Sequence, residues 1–257
     1  MMQSPQFSFS YCWDALHAEQ EQPWLIDAFV RPDVYGQLVE MRSWIVLGNS
    51  GSGKTALRYA LKSEVERRVS DPIFVIGWQP TFDCNVSDQI SVYQQITEGI
   101  LRAFAVSIVE WVASTPERFI ALSAPARWLL GWFCQHWLNQ GPEFVVLAMT
   151  ERYGAHAQPA LRCLLLDSYP EVYRAPVRAL DVLAELTRAL QRAGFDGVWL
   201  VVDDFERISQ DNPEHVSVLL GYLLGTLGLF EIDRFCIKMM VSACHRDIVL
   251  SSRGTCQ

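Results

Sequence analysis

Trp44-Ile45-Val46-Leu47-Gly48-Asn49-Ser50-Gly51-Ser52-Gly53-Lys54-Thr55 is the stretch from which the fold follows. From Gly48 to Thr55 it satisfies G-x-x-x-x-G-K-[ST] at each defined position. Trp44 to Leu47 is a short apolar run suited to a buried strand, and Ala56, Leu57, Ala60, Leu61, Val65 and Val69 recur afterwards at helical spacing. Strand, glycine turn and helix therefore come in the order that a phosphate-binding loop, or Walker A motif, requires.

Each residue type in the loop has a physical task. Main-chain N–H groups must wrap a phosphate chain closely, and side chains at Gly51 or Gly53 would block that approach or forbid the needed dihedral angles. Lys54 adds a mobile ammonium that reaches β- and γ-phosphates, the helix N-terminus adds partial positive charge, and the Thr55 hydroxyl can enter a Mg²⁺ shell. The expected nucleotide-binding set is Gly48, Asn49, Ser50, Gly51, Ser52, Gly53, Lys54, Thr55 and Ala56. Its expected ligands are ATP and Mg²⁺.

A second stretch supplies what this loop lacks. Val198-Trp199-Leu200-Val201-Val202-Asp203-Asp204 is an apolar strand that ends in two carboxylates, the pattern of a Walker B motif. Two desolvated negative charges side by side are costly, so such a strand end must be solvated or meet a cation. Asp203 is assigned to the Mg²⁺ shell, through water, and Asp204 to orienting or deprotonating the attacking water, with Glu206 as the alternative for that second role. The expected catalytic group is then Asp204, Lys54 and Glu206, and the metal pair is Thr55 and Asp203.

The remaining chain divides around these two motifs. Asp33 is expected to cap a helix carrying Val34, Leu38 and Val39, and Ile73 to Ile76 after Asp71-Pro72 forms a second strand. Helical periodicity then dominates from about Asp83 to Ala193. Breaks fall at Thr115-Pro116, where Thr115 is expected to cap a helix that Pro116 opens, and at Gly141, Gly154 and Ser168-Tyr169-Pro170, and the last helix stops at Gly194. Phe235 to Val241 is a fourth strand ending in Ser242 with Arg246 just beyond, at the strand end where ligands sit in open parallel sheets. Ser242 and Arg246 are accordingly candidates for sensing a terminal phosphate. The fold class expected is α/β, a three-layer α/β/α parallel-sheet P-loop core with a large helical insertion. Its parts are 1–82 (lead-in and first half of the core), 83–193 (insertion) and 194–257 (second half).

Composition limits the partners. The chain of 257 residues carries a formal charge of -8 and no obvious basic patch, which disfavours nucleic acid as a ligand. Half of the residues are hydrophobic and the mean hydropathy is +0.11, so part of the surface is expected to meet a protein partner or a second copy, through the helical insertion. Seven cysteines without a C-x-x-C pair fit reduced thiols rather than a disulfide framework or a zinc site. The leucine-rich run Val216 to Phe230 is too short to span a bilayer and is broken by three glycines, and no secretory leader is apparent, so a cytoplasmic location is expected.

Taken together, Leu47 to Leu57, an intervening strand, Val201-Val202-Asp203-Asp204 and a polar-tipped fourth strand resemble the P-loop ATPases of the AAA+ and STAND type (signal-transduction ATPases with numerous domains). The Asp-Asp pair and the arginine soon after the fourth strand look more like STAND proteins, and the chain is similar to bacterial regulatory or conflict-system ATPases. That resemblance implies an acidic water-activating residue directly after the Walker B aspartate and a strand lying between the Walker A and Walker B strands. It also implies a slow, switch-like hydrolysis of ATP that controls association with partners. Two other readings stay open: a nucleotide-stabilised scaffold that does not hydrolyse, and a DNA-associated AAA+ regulator. The long interval between Lys54 and Asp203 agrees with a helical insert, and no arginine finger is assignable. No fifth strand, helical lid or winged helix is evident after the fourth strand.

Overall fold

The computed structural model describes residues 30–49, 51–68, 70–81, 89–167, 178–205, 208 and 213–253. Its elements, in chain order, are α1 (Tyr35–Leu38), β1 (Trp44–Gly48), α2 (Lys54–Glu66), β2 (Ile73–Trp78), α3 (Gln89–Ser114), α4 (Pro116–Ile120) and α5 (Ala124–Trp137). They continue with α6 (Pro142–Tyr153), α7 (Gln158–Leu166), α8 (Ala179–Arg192), β3 (Gly197–Val202), α9 (Pro213–Gly225), α10 (Leu227–Glu231), β4 (Phe235–Ser242) and α11 (Arg246–Arg253).

The four strands form one all-parallel sheet in the order β1-β4-β3-β2. Parallel neighbours need crossover connections, which lay helices on both faces and bury the strands on both sides. The apolar runs of β3 and β4 are accordingly buried at every position. Alternation sorts their side chains between two clusters. Trp199, Val201 and Met240 join Leu57, Leu61 and Val65 of α2 on one face, whereas Val198, Leu200, Ile237 and Met239 join the helices of the other.

On that second face α3, α8 and α10 contact the sheet, α9 packs on α3, and α5, α6 and α7 pack outside α3 as a further helical tier. The segment between β2 and β3 thus shares one continuous buried cluster with the sheet. Close approach is required where α3 crosses the end of β2, since a Cβ on Gly99 would come within 2.9 Å of the Trp78 indole nitrogen. Gly194, at φ +92°, ends the turn after α8.

Most predicted elements recur within one or two residues, but two predicted caps do not form. Before α1, a single turn, no side chain caps the exposed N–H groups, and Asp33 does not serve there. The Thr115 hydroxyl instead donates to the Trp111 carbonyl, 3.0 Å away, closing α3 rather than opening α4. Of the four tryptophans on these helices, Trp111 is buried, Trp132 and Trp137 are half-buried and Trp128 is exposed. Among the described residues no helix is long and apolar enough to cross a membrane; the leucine-rich run is split into α9 and α10 and buries Val216, Leu219, Leu220, Leu223 and Leu229.

One charged side chain lies inside the sheet. Lys238 of β4 is 1% exposed, and its ammonium donates to the carbonyls of Leu38, Glu40 and Arg42 at 2.9, 2.7 and 2.6 Å while resting 4.3 Å from the Trp199 ring. It fastens the segment after α1 to the sheet. Burial pushes the ammonium down from 10.5 to about 8. Between these two pH values the unfolded chain holds more protons than the folded one, so this group makes stability rise with pH across that window. Buried thiols such as Cys134 and Cys236, raised by desolvation, act in the opposite sense. The expected result is therefore comparative: urea unfolding of Lys238→Met shows a flatter or falling stability from pH 8 to 10, whereas the parent gains relative to it.

Candidate functional site

The site begins where β1 ends. Gly51 and Gly53 have φ of +75° and +84°, values that residues with side chains rarely adopt, so the turn needs glycine at both. A Cβ on Gly48 would collide with the Ser52 hydroxyl, and the Ser52 amide closes the turn on the Asn49 carbonyl at 3.1 Å. Gly51, Ser52, Gly53 and Thr55 are exposed, and Ala56 is half-buried behind them. Lys54 opens α2 and is largely buried. Its ammonium folds back over the turn and donates to the Gly48 and Asn49 carbonyls at 3.1 and 2.9 Å. No side chain caps the start of α2, so the first N–H groups of that helix have no side-chain acceptor. Ser50 lies outside the described residues.

The strand order then brings polar strand ends to this turn. β4 lies between β1 and β3, so the ends of all three strands stand side by side. Ser242, the last residue of β4, is in register with Gly48. It is buried, and its hydroxyl accepts a hydrogen bond from the Cys244 thiol at 3.2 Å. His245 follows, buried, with its Nε2 lacking a hydrogen-bond partner among the described residues. Arg246 is exposed at the start of α11.

Asp203 continues the alternation of Trp199 and Val201, and so falls on the α2 face. Its carboxylate is 4% exposed by residue and sits 3.4 Å from the Arg58 Nε, which is itself buried without a hydrogen-bond partner among the described residues. Arg58 lies three residues beyond Thr55 on α2, so Asp203 is held against the first two turns of that helix. The Arg58 guanidinium also lies 4.6 Å from the Tyr59 ring. Asp204 has φ +68°, a left-handed conformation that costs a non-glycine residue about 1 kcal/mol and is tolerated best by Asp and Asn. It breaks the strand alternation immediately after Asp203. Glu206 lies outside the described residues.

Arg58 is the member of this site that sequence reasoning missed. A signal was present, because Arg58 interrupts the apolar stripe of Leu57, Ala60 and Leu61 on a helix that must face the sheet. A cation on that helix, if buried, needs an acid from a strand end.

Does this set fit Mg²⁺ and a nucleotide? Among the described residues no group of three His, Cys, Asp or Glu side chains could hold a metal alone. Mg²⁺ on a phosphate chain, however, keeps most of its waters and takes only one or two protein ligands. Thr55 supplies an exposed hydroxyl at the start of α2 and Asp203 a buried carboxylate held against the same helix by Arg58, two oxygen donors of the kind that Mg²⁺ takes. No protein-family model, curated protein or solved structure matches this chain.

Proposed function

We propose that the chain is a Mg²⁺-dependent ATPase of the P-loop class, AAA+ or STAND-like, that hydrolyses ATP slowly and works as a regulatory or assembly switch. The observation that carries this reading is the convergence of Gly48, Ser242 and Asp203 at one end of a β1-β4-β3-β2 sheet, beside the uncapped start of α2. In this reading the amides from Gly51 to Thr55 hold the phosphates. Lys54 exchanges the Gly48 and Asn49 carbonyls for phosphate oxygens, so it binds without crossing a large distance. Mg²⁺ would be held by Thr55 and Asp203 and would neutralise phosphate charge. Asp204 orients the attacking water and accepts its proton, and Ser242 donates to a terminal oxygen. Arg246 would add a charge from the start of α11. Exposed Phe144 and Leu147 on α6, and Trp128 on α5, give the helical tier apolar surface for a protein partner or a second copy.

Replacing Asp204 with asparagine keeps a side chain of the same size but removes the base. Turnover should fall by about 10² or more while ATP affinity stays within a few-fold of the parent. Steady-state phosphate release beside equilibrium nucleotide titration checks this, and loss of binding in Asp204→Asn would argue for a structural role at its left-handed turn. The decisive experiment for the whole reading is mass measurement in solution with ATP, ADP or neither, with phosphate release followed in parallel. Nucleotide-dependent assembly with turnover supports the switch.

The Arg58–Asp203 pair favours one second reading. A carboxylate already neutralised by a buried guanidinium can sit beside a bound nucleotide without recruiting the metal, so ATP would act as a structural ligand that stabilises the fold by linkage. Single-turnover measurement separates the two: bound ATP that stays intact for hours identifies the scaffold.

A further inference from the structure

β2 is the terminal strand of the sheet, and among the described residues no strand pairs with its outer side. Along this margin runs a half-open cavity of about 450 Å³, bordered by the successive residues Pro72, Ile73, Phe74 and Val75. Successive strand side chains point to opposite faces, so a cavity touched by all four lies at the rim of the strand, where alternate main-chain N–H and C=O groups face outward. The flanking helices agree with that placement. Lys62 of α2 borders the cavity from one face of the sheet and Trp111 of α3 from the other.

The lining has a sign. Among the described lining residues Lys62, Arg118 and Arg152 are cations, and Glu110, which pairs with Arg152 at 3.3 Å, is the one acid. This local excess of cations stands in a chain whose formal charge is -8, so the groove differs from the rest of the molecule. Its floor is aromatic, with Phe74, Trp111 and Phe195 in mutual edge contact, and Trp111 keeps a buried indole N–H with no acceptor among the described residues. A strand margin that no described strand pairs, flanked by cations on both faces, fits an extended acidic segment better than a compact ligand. The strand would supply main-chain pairing and the flanking cations would select carboxylates.

We propose that the outer edge of β2 is a docking site for an extended acidic segment of a partner protein, which adds to the sheet as a further strand. This surface lies at the amino end of β2, away from the glycine turn, and the proposal does not depend on the nucleotide reading. The probes are a fluorescein-labelled acetylated octapeptide of alternating Glu and Val, its Lys–Val counterpart, and the Glu–Val peptide methylated on every main-chain nitrogen. Full-length protein should give saturable anisotropy with the Glu–Val peptide and slowed hydrogen exchange in Ile73–Trp78. Binding should weaken at least ten-fold in Arg118→Glu, in Lys62→Glu and with the methylated peptide, and should persist in Lys54→Ala. Equal binding of the Lys–Val peptide, undiminished binding of the methylated peptide, or no saturable binding up to millimolar concentration would each overturn it. Binding without slowed exchange in β2 would overturn it too, pointing to side-chain capture of anions such as small aromatic carboxylates.

Discussion

Lys54→Ala is expected to lose ATP binding by about 10² to 10⁴ and to bring phosphate release to background. The magnitude follows from the chemistry of one ammonium that makes two charge-assisted hydrogen bonds to phosphate oxygens, each contributing about 1.5–3 kcal/mol. The same ammonium now bridges the Gly48 and Asn49 carbonyls, so its loss also removes two contacts that hold the turn. Lys54→Arg serves as the control for that effect: it keeps the charge, but its planar fork does not replace a compact ammonium within the turn. A titration with fluorescent ATP analogue at fixed Mg²⁺, alongside phosphate release, measures both consequences. If Lys54→Ala hydrolyses ATP as fast as the parent, the glycine turn is not a phosphate site.

Asp203→Ala should destabilise the fold by about 3–5 kcal/mol, because it leaves the Arg58 guanidinium buried without its counter-charge. Both side chains are under one-tenth exposed, so solvent does little to relieve the orphaned cation. Replacing both partners with apolar groups, Arg58→Met with Asp203→Leu, should restore most of the loss, since a buried ion pair and a packed apolar pair of similar volume differ little in net stability. Urea unfolding of Arg58→Met, Asp203→Leu and the double variant gives the coupling directly. A cost below about 1 kcal/mol for Asp203→Ala would mean that the pair does not hold the strand end to α2. The same series bears on function. With Arg58→Met the carboxylate is released from its guanidinium, so ATP binding should become saturable at lower Mg²⁺ than in the parent. No such shift would remove Arg58 from any role at the metal position.

These two residues show how unevenly the site can be read from the chain. Lys54 was legible because its neighbours are constrained locally: a left-handed turn at Gly51 and Gly53 demands glycine whatever surrounds it. Asp203 was legible as a strand-end acid, but its partner was not. The proposed ligand at that position is a metal, and the structure adds Arg58 as a resident counter-ion. Ser242 lay between these cases. Its place at a strand end was readable, but its alignment with Gly48 depends on β4 being inserted between β1 and β3. Lys238 was not legible at all, because three carbonyl acceptors from the segment after α1 are what make a lysine tolerable inside the sheet.

By itself the sequence determined the glycine turn, the four apolar strands and the helical stretches between them, with ends accurate to a residue or two. Those features rest on allowed backbone angles and on side-chain periodicity, both of which are local. Only the tertiary structure decided which strand lies beside which, that the helices after β2 share the core of the sheet, and which charge faces Arg58 and Lys238. A buried charge answers to whatever stands within a few ångströms of it, and separation along the chain carries no such distance.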